Sequence, residues 1–270
     1  MKTKGNSNKR IQSQNIKTNN IKKKKKTSKN VQLKRKIILI SVLIFIVFGA
    51  LLLILFSDLF NTKNIIVQNN LLVPTQNILE NSALKVGNNM FKTLNSTIKK
   101  SIKANPYIDK VKVSKKLNGD VIIYVEERTP SFNIQSENGY IYINNQGYLL
   151  EEAQTPLELP IIKGCNTQEL ALGQRLDKLD LKKLDIVIQI MDAAESNGIR
   201  EKITSVDIEN NNNFILEIPS EGKTVQFGDS SNIDIKILWV VSLIEKTKGV
   251  EGEIVLNVPD IKKVYFREKV

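Results

Sequence analysis

The chain has 270 residues, 40 of them Lys or Arg against 28 Asp or Glu, for a net charge of +12, with one Cys and no His. Without histidine, Ser-His-Asp and Cys-His nucleophile systems and His-ligated zinc or iron sites are excluded, and a lone Cys closes no intramolecular disulfide and builds no thiolate metal site. The excess charge is local: fourteen basic and no acidic residues lie in 1–36, leaving 26 basic against 28 acidic in the remainder.

Residues 1–36 mix Lys22–Lys26 with Ser, Thr, Asn and Gln, too little apolar surface to fold, and read as a disordered tail. The tail lacks the interleaved aromatics of a nucleic-acid binder, so no nucleic-acid partner is expected; its place beside an apolar run makes it a topology determinant that rests on anionic headgroups. That run, residues 37–56, holds no charge and no polar face. Twenty helical residues cover about 30 Å, the thickness of a hydrocarbon core. The apolar stretch exceeds a signal-peptide core and no small-x-small site precedes Ser57. It reads as an uncleaved transmembrane anchor, with the Lys34-Arg35-Lys36 side cytoplasmic and residues 57–270 outside.

The outer part divides into two expected modules. The first, residues 61–129, reads β-α-α-β-β: a strand at Asn64–Gln68 and a helix at Thr75–Asn81 come first. A second helix is marked by Phe91, Leu94, Ile98 and Ile102 and ended by Asn105-Pro106. A strand with Val111 and Val113 then turns at Asn118-Gly119 into one with Val121, Ile123 and Val125. The second module, residues 130–270, opens with a meander, Phe132–Gln135, Tyr140–Ile143 and Tyr148–Leu150, turning at Asn138-Gly139 and Gln146-Gly147. A helix carrying Leu181, Leu184, Ile188 and Met191 ends at Asn197-Gly198. Strands follow at Ile203–Ile208, Phe214–Ile218 and Lys223–Phe227. Ser231 and Asp234 have capping-box spacing before a helix with Ile233, Ile237, Val240 and Ile244. Glu253–Val258 and Val264–Phe266 close the chain as strands. Trp239 and Cys165 read as core residues rather than a ligand stacker and a reactive thiol. The fold class is α+β: one transmembrane helix, a small β-α-α-β-β domain, and a mainly antiparallel β domain with two helices.

No phosphate-binding glycine loop of either common type occurs. Glu126 and Glu127 are the conspicuous carboxylate pair, but neighbours on a strand face opposite ways and cannot flank one bond. No catalytic residue, metal or cofactor is expected. Two readings of Glu126, Glu127 and Arg128 stay open: a binding patch between the modules, or an Arg128–carboxylate pair that fixes their angle.

The order of features resembles the bacterial cell-division family FtsQ/DivIB. The matching segments are Ile65–Asn70, Lys85-Val86-Gly87-Asn88-Asn89-Met90-Phe91, Asn105-Pro106-Tyr107-Ile108 with Val111-Lys112-Val113, and Val125-Glu126-Glu127-Arg128-Thr129-Pro130. Asn145-Gln146-Gly147-Tyr148, Leu159-Pro160-Ile161-Ile162-Lys163-Gly164 and Gly252–Val258 with Tyr265-Phe266 complete the series. The resemblance implies a polypeptide-transport-associated (POTRA) domain followed by a β domain, in a non-enzymatic single-pass scaffold of the division septum. It implies FtsL-, DivIC- or FtsB-type coiled-coil partners, with septal peptidoglycan synthases as a further partner class, and a partner strand added at the C-terminal sheet edge. Carried over, the contacts fall on Val264, Tyr265, Phe266 and Arg267, with Leu256, Asn257 and Val258 on the adjacent strand. The competing reading is an anchored cell-wall enzyme using Ser-Lys or carboxylate chemistry.

Overall fold

The computed structural model describes residues 7–137, 139–166 and 170–269, with side chains from residue 31 onward. Helix α1 (Ser7–Phe56) contains the apolar run, and within it Val31–Phe56 is long and apolar enough to cross a membrane, with none of that stretch buried against the protein. The helix starts well before the expected anchor. From Ser7 the segment read as a disordered tail is helical: Lys and Gln are good helix formers, and an existing helix extends through them at one bond per residue. Residues 1–6 lie outside the described residues, as does Asn138 of the expected Asn138-Gly139 turn.

Beyond a short 3-10 turn at Asp58–Phe60 come β1 (Asn64–Gln68), α2 (Thr75–Asn81), α3 (Asn95–Ile102), β2 (Ile108–Lys115) and β3 (Asp120–Glu127). The sheet order is β1-β3-β2, with β1 parallel and β2 antiparallel to the central strand. The period-2 pattern of β3 turns Val121, Ile123 and Val125 inward, where they meet Ile78, Ile98 and Ile102 of the two helices. Phe91 and Leu94 share the apolar spacing of α3 but precede it. The Asn89 side chain accepts the Phe91 N–H at 2.9 Å, which holds a turn there, and Phe91 packs edge-on against Phe60 at 5.5 Å.

The second sheet holds β4 (Phe132–Ser136), β5 (Gly139–Ile143), β6 (Leu149–Ala153), β7 (Ile161–Lys163), β8 (Ser205–Asp207), β9 (Phe214–Ile218), β10 (Lys223–Gly228), β11 (Gly252–Val255) and β12 (Tyr265–Glu268). Their order is β12-β11-β10-β9-β8-β7-β4-β5-β6. The pairs β10–β11, β4–β7 and β7–β8 are parallel and the others antiparallel, so the sheet is mainly antiparallel, as expected. Helices α4 (Lys178–Ser196) and α5 (Ile233–Lys246) bring Leu184, Met191, Ile237 and Val240 onto Leu216, Val225, Phe227 and Ile254. Trp239 packs partly buried against the same core.

The capping box does not form. Asn232 is the N-cap of α5 in a left-handed conformation with no side-chain cap bond, because the Ser231 hydroxyl donates instead to Asp229 at 2.5 Å. At α4 the capping works as the residue type suggests, Asp177 accepting the N–H groups of Leu179 and Asp180.

Candidate functional site

Strand β12 lies at one margin of the nine-stranded sheet and, among the described residues, pairs with β11 alone. Its register sets Glu268, Arg267, Phe266 and Tyr265 opposite Gly252, Glu253, Ile254 and Val255. The Lys269 N–H donates to the Glu251 carbonyl at 3.0 Å, whereas the Gly252 and Leu256 N–H groups donate toward β10. Antiparallel ladders alternate, so Tyr265 and Arg267 spend their backbone groups on β11 while Phe266 and Glu268 direct theirs outward. An edge with open donors and acceptors can take another strand, and alternate side chains then read the incoming chain.

The side chains divide in the same way. Tyr265 is exposed, and Arg267 pairs with Glu253 at 3.1 Å on the open face of the sheet. Phe266 turns to the core face. Its ring occupies the space a Cβ on Gly252 would need, 2.6 Å from that point, and lies 5.1 Å from Lys223 Nζ. Val264 packs, partly buried, against the same core.

Leu256, Asn257 and Val258 depart from the expectation, since β11 ends at Val255. The Leu256 and Asn257 N–H groups converge on one acceptor, the Gln226 carbonyl, at 2.9 and 3.1 Å. The ladder between β10 and β11 ends at this shared acceptor. Leu256 is 1% exposed, so its side chain belongs to the core and not to a contact surface. Asn257 donates instead to the Asn213 side chain at 3.1 Å. The edge therefore consists of Tyr265, Phe266, Arg267 and Glu268.

Lys223 seats this edge and escaped the sequence reading. It is 2% exposed, and its ammonium donates to the carbonyls of Glu221 and Thr247, each at 3.1 Å, and of Val250. Thr247 is the C-cap of α5, where a positive charge offsets the helix dipole. One signal was present: Lys223 shares the period-2 face of Val225 and Phe227, a face that turns inward. Lys236 is its counterpart near the start of α5, 3% exposed and donating to the Asp229 carbonyl and carboxylate at 2.8 and 3.0 Å. Asp229 is held down to about 2 by the Ser231 hydroxyl first, then by Lys236 and the Ser231 N–H.

At the opposite margin of the sheet, Arg128 joins the two modules. Its guanidinium donates to the carbonyls of Pro106 and Ile108 at 2.8 and 2.7 Å, pairs with Asp109 at 3.0 Å and stacks 4.1 Å from the Tyr148 ring. The Tyr107 hydroxyl donates to Glu151 on β6 at 2.7 Å, and burial together with that carboxylate raises its pKa. Glu126 and Glu127 are separated as the strand geometry required. Glu126 pairs with Lys110 at 2.7 Å, which lowers its pKa, while Glu127 accepts the N–H groups of Leu71, Leu72 and Val73 at 2.7–2.9 Å. Arg128 thus has a carboxylate partner, as one of the two readings of this triplet held, and that partner is Asp109 of the first module rather than Glu126 or Glu127. The Cys165 thiol is pushed up to about 12, chiefly by burial and then by Asp180, which leaves little thiolate at neutral pH.

Comparison with known proteins gives a consistent result. A family model described as "POTRA domain, FtsQ-type" matches residues 60–128. The chain is 33% identical over 195 residues to the cell division protein DivIB of Clostridium acetobutylicum, covering 71% of this chain and 76% of that one. It is 28% identical over 228 residues to DivIB of Clostridium botulinum, covering 84% and 85% respectively. The cell division protein FtsQ of Syntrophotalea carbinolica is 26% identical over 145 residues, 53% of this chain and 50% of that protein.

Proposed function

The chain belongs to the DivIB/FtsQ family of cell division proteins, and on that premise we propose that it is a non-enzymatic scaffold of the division septum. It holds an FtsL-, DivIC- or FtsB-type coiled-coil protein by adding that partner's strand to β12. The basic segment faces the cytoplasm, and two units, residues 61–129 and 130–270, stand outside the membrane. The observation that carries the reading is the one-sided pairing of β12, which leaves the Phe266 and Glu268 backbone groups directed away from the sheet. Tyr265 and Arg267, on the open face, are the side chains in position to select the partner.

The test uses the full chain in nanodiscs and a purified DivIC-type ectodomain. Glu268→Pro removes an outward N–H without removing a bond to β11, since edge positions tolerate proline where the N–H faces away. Tyr265→Lys alters the exposed side chain. Both are expected to weaken binding at least tenfold while thermal unfolding stays close to that of the parent. Full-strength binding by both would show that this edge is not the docking strand.

A further inference from the structure

We propose that the end of the POTRA module nearest α1 is a lipid-contacting face, pressed onto the leaflet into which the span emerges. The segment 57–63 leaves the span and is gripped from two sides. The loop that follows α2 pairs with it through Thr62 N–H to Asn88 at 2.8 Å, Gly87 N–H to Thr62 at 2.8 Å and Met90 N–H to Phe60 at 3.0 Å. The β2–β3 turn joins through Lys63 N–H to Gly119 at 2.8 Å. Each of these pieces presents a large apolar side chain to the outside: Leu59 is 78% exposed, Val86 64% and Leu117 75%. Exposed Lys85 and Lys116 are the chain neighbours of Val86 and Leu117, and exposed Lys92 lies 5.5 Å over the ring of Phe56 at the end of the span.

Distance to the bilayer follows from the anchor. With Lys34-Arg35-Lys36 at one boundary, the twenty residues from Ile37 bring Phe56 to the other after about 30 Å. Leu59 is three residues further, within the headgroup layer, which is roughly 5–8 Å deep on each side. The module is also locked to the span. Asn89, 6% exposed, donates to the Ile54 and Ser57 carbonyls at 2.7 and 3.1 Å, satisfying acceptors that end the helix. Apolar residues interspersed with lysines are the composition of an interfacial surface, and here the span itself sets its depth. The inference rests on α1 crossing the bilayer and is independent of strand addition at β12, so the two fail separately.

The experiment uses the full chain with Cys165→Ala, reconstituted into bilayers of phosphatidylcholine and phosphatidylglycerol. Spin labels are placed singly at Leu59→Cys, Val86→Cys and Leu117→Cys. The control is Leu71→Cys, a 91% exposed residue in the loop that Glu127 holds at the far end of β1. Collision with oxygen is expected to dominate over collision with a water-soluble nickel chelate at the three rim sites, and the reverse at Leu71. Exchanging Lys85, Lys92 and Lys116 together for Glu is expected to shift the rim labels toward the aqueous value. Rim labels that read like Leu71 would overturn the proposal. So would rim labels shielded only after a purified division-protein ectodomain is added, which would make the face a protein-docking surface. An unchanged reading in the charge-reversed chain would overturn the role of the lysines.

Discussion

Phe266→Ala tests how the edge strand is seated. The ring is half-buried, so its loss costs about half of the 3–5 kcal/mol typical of a fully buried Phe, roughly 2 kcal/mol. Removing the aromatic face from the desolvated Lys223 ammonium adds about 1 kcal/mol. Because the backbone of β12 is hydrogen-bonded to the sheet through β11, this loss of about 3 kcal/mol acts on detachment of β12 rather than on global unfolding. Native-state hydrogen exchange then separates neighbouring amides. Those of Glu253 and Val255 face β12, and at about 1.4 kcal/mol per factor of ten their protection should fall about a hundredfold. The amide of Ile254 faces β10 and should keep the parent's protection, an internal control one residue away. A uniform fall across Glu253, Ile254 and Val255, or no fall at all, would show that the Phe266 ring does not seat β12. The same logic makes Phe266 a poor probe of partner contact, since its substitution loosens the strand before any partner arrives.

Two further outcomes follow from side chains described above. Arg128→Ala is expected to destabilise the protein by about 3 kcal/mol, from two charge-assisted bonds and the Tyr148 stack, and to broaden the distance distribution between labels on the two modules; chemical denaturation and pulsed dipolar spectroscopy check it. Asp229 has a depressed folded pKa, so its stabilisation is present above the unfolded carboxylate value near 4 and is lost as pH falls toward about 2. Its side chain is 58% exposed, and after solvent screening the effect is about 1 kcal/mol. Asp229→Asn should therefore unfold with a shallower dependence on pH between 4 and 2 than the parent.

Elements set by local pattern were legible in the sequence. The alternation of Val121, Ile123 and Val125 identified a half-buried strand, and Asn118-Gly119 identified the turn before it. The apolar face of α4 was legible for the same reason: helix period and cap chemistry agree within one segment. What escaped depends on partners distant in the chain. Leu256 looked like strand because it follows Ile254 at period 2, and its ladder stops because one carbonyl on β10 takes two amides. The spacing of Ser231 and Asp234 is that of a capping box, but Asp229 captures the serine hydroxyl first. The burial of Lys223 depends on carbonyls at the end of a helix more than twenty residues on, which no window around position 223 contains. At the candidate edge, the strand's place at the margin matched the family resemblance, while the split between seating and outward-facing residues needed the register.

The order of the nine strands sets the two margins far apart. Strand β6 carries the Tyr107 link to the membrane-tethered module, and β12 lies eight inter-strand steps away, about 38 Å at 4.8 Å per step. A tenth strand laid on β12 would lengthen the sheet outward, away from the margin where the first module is linked.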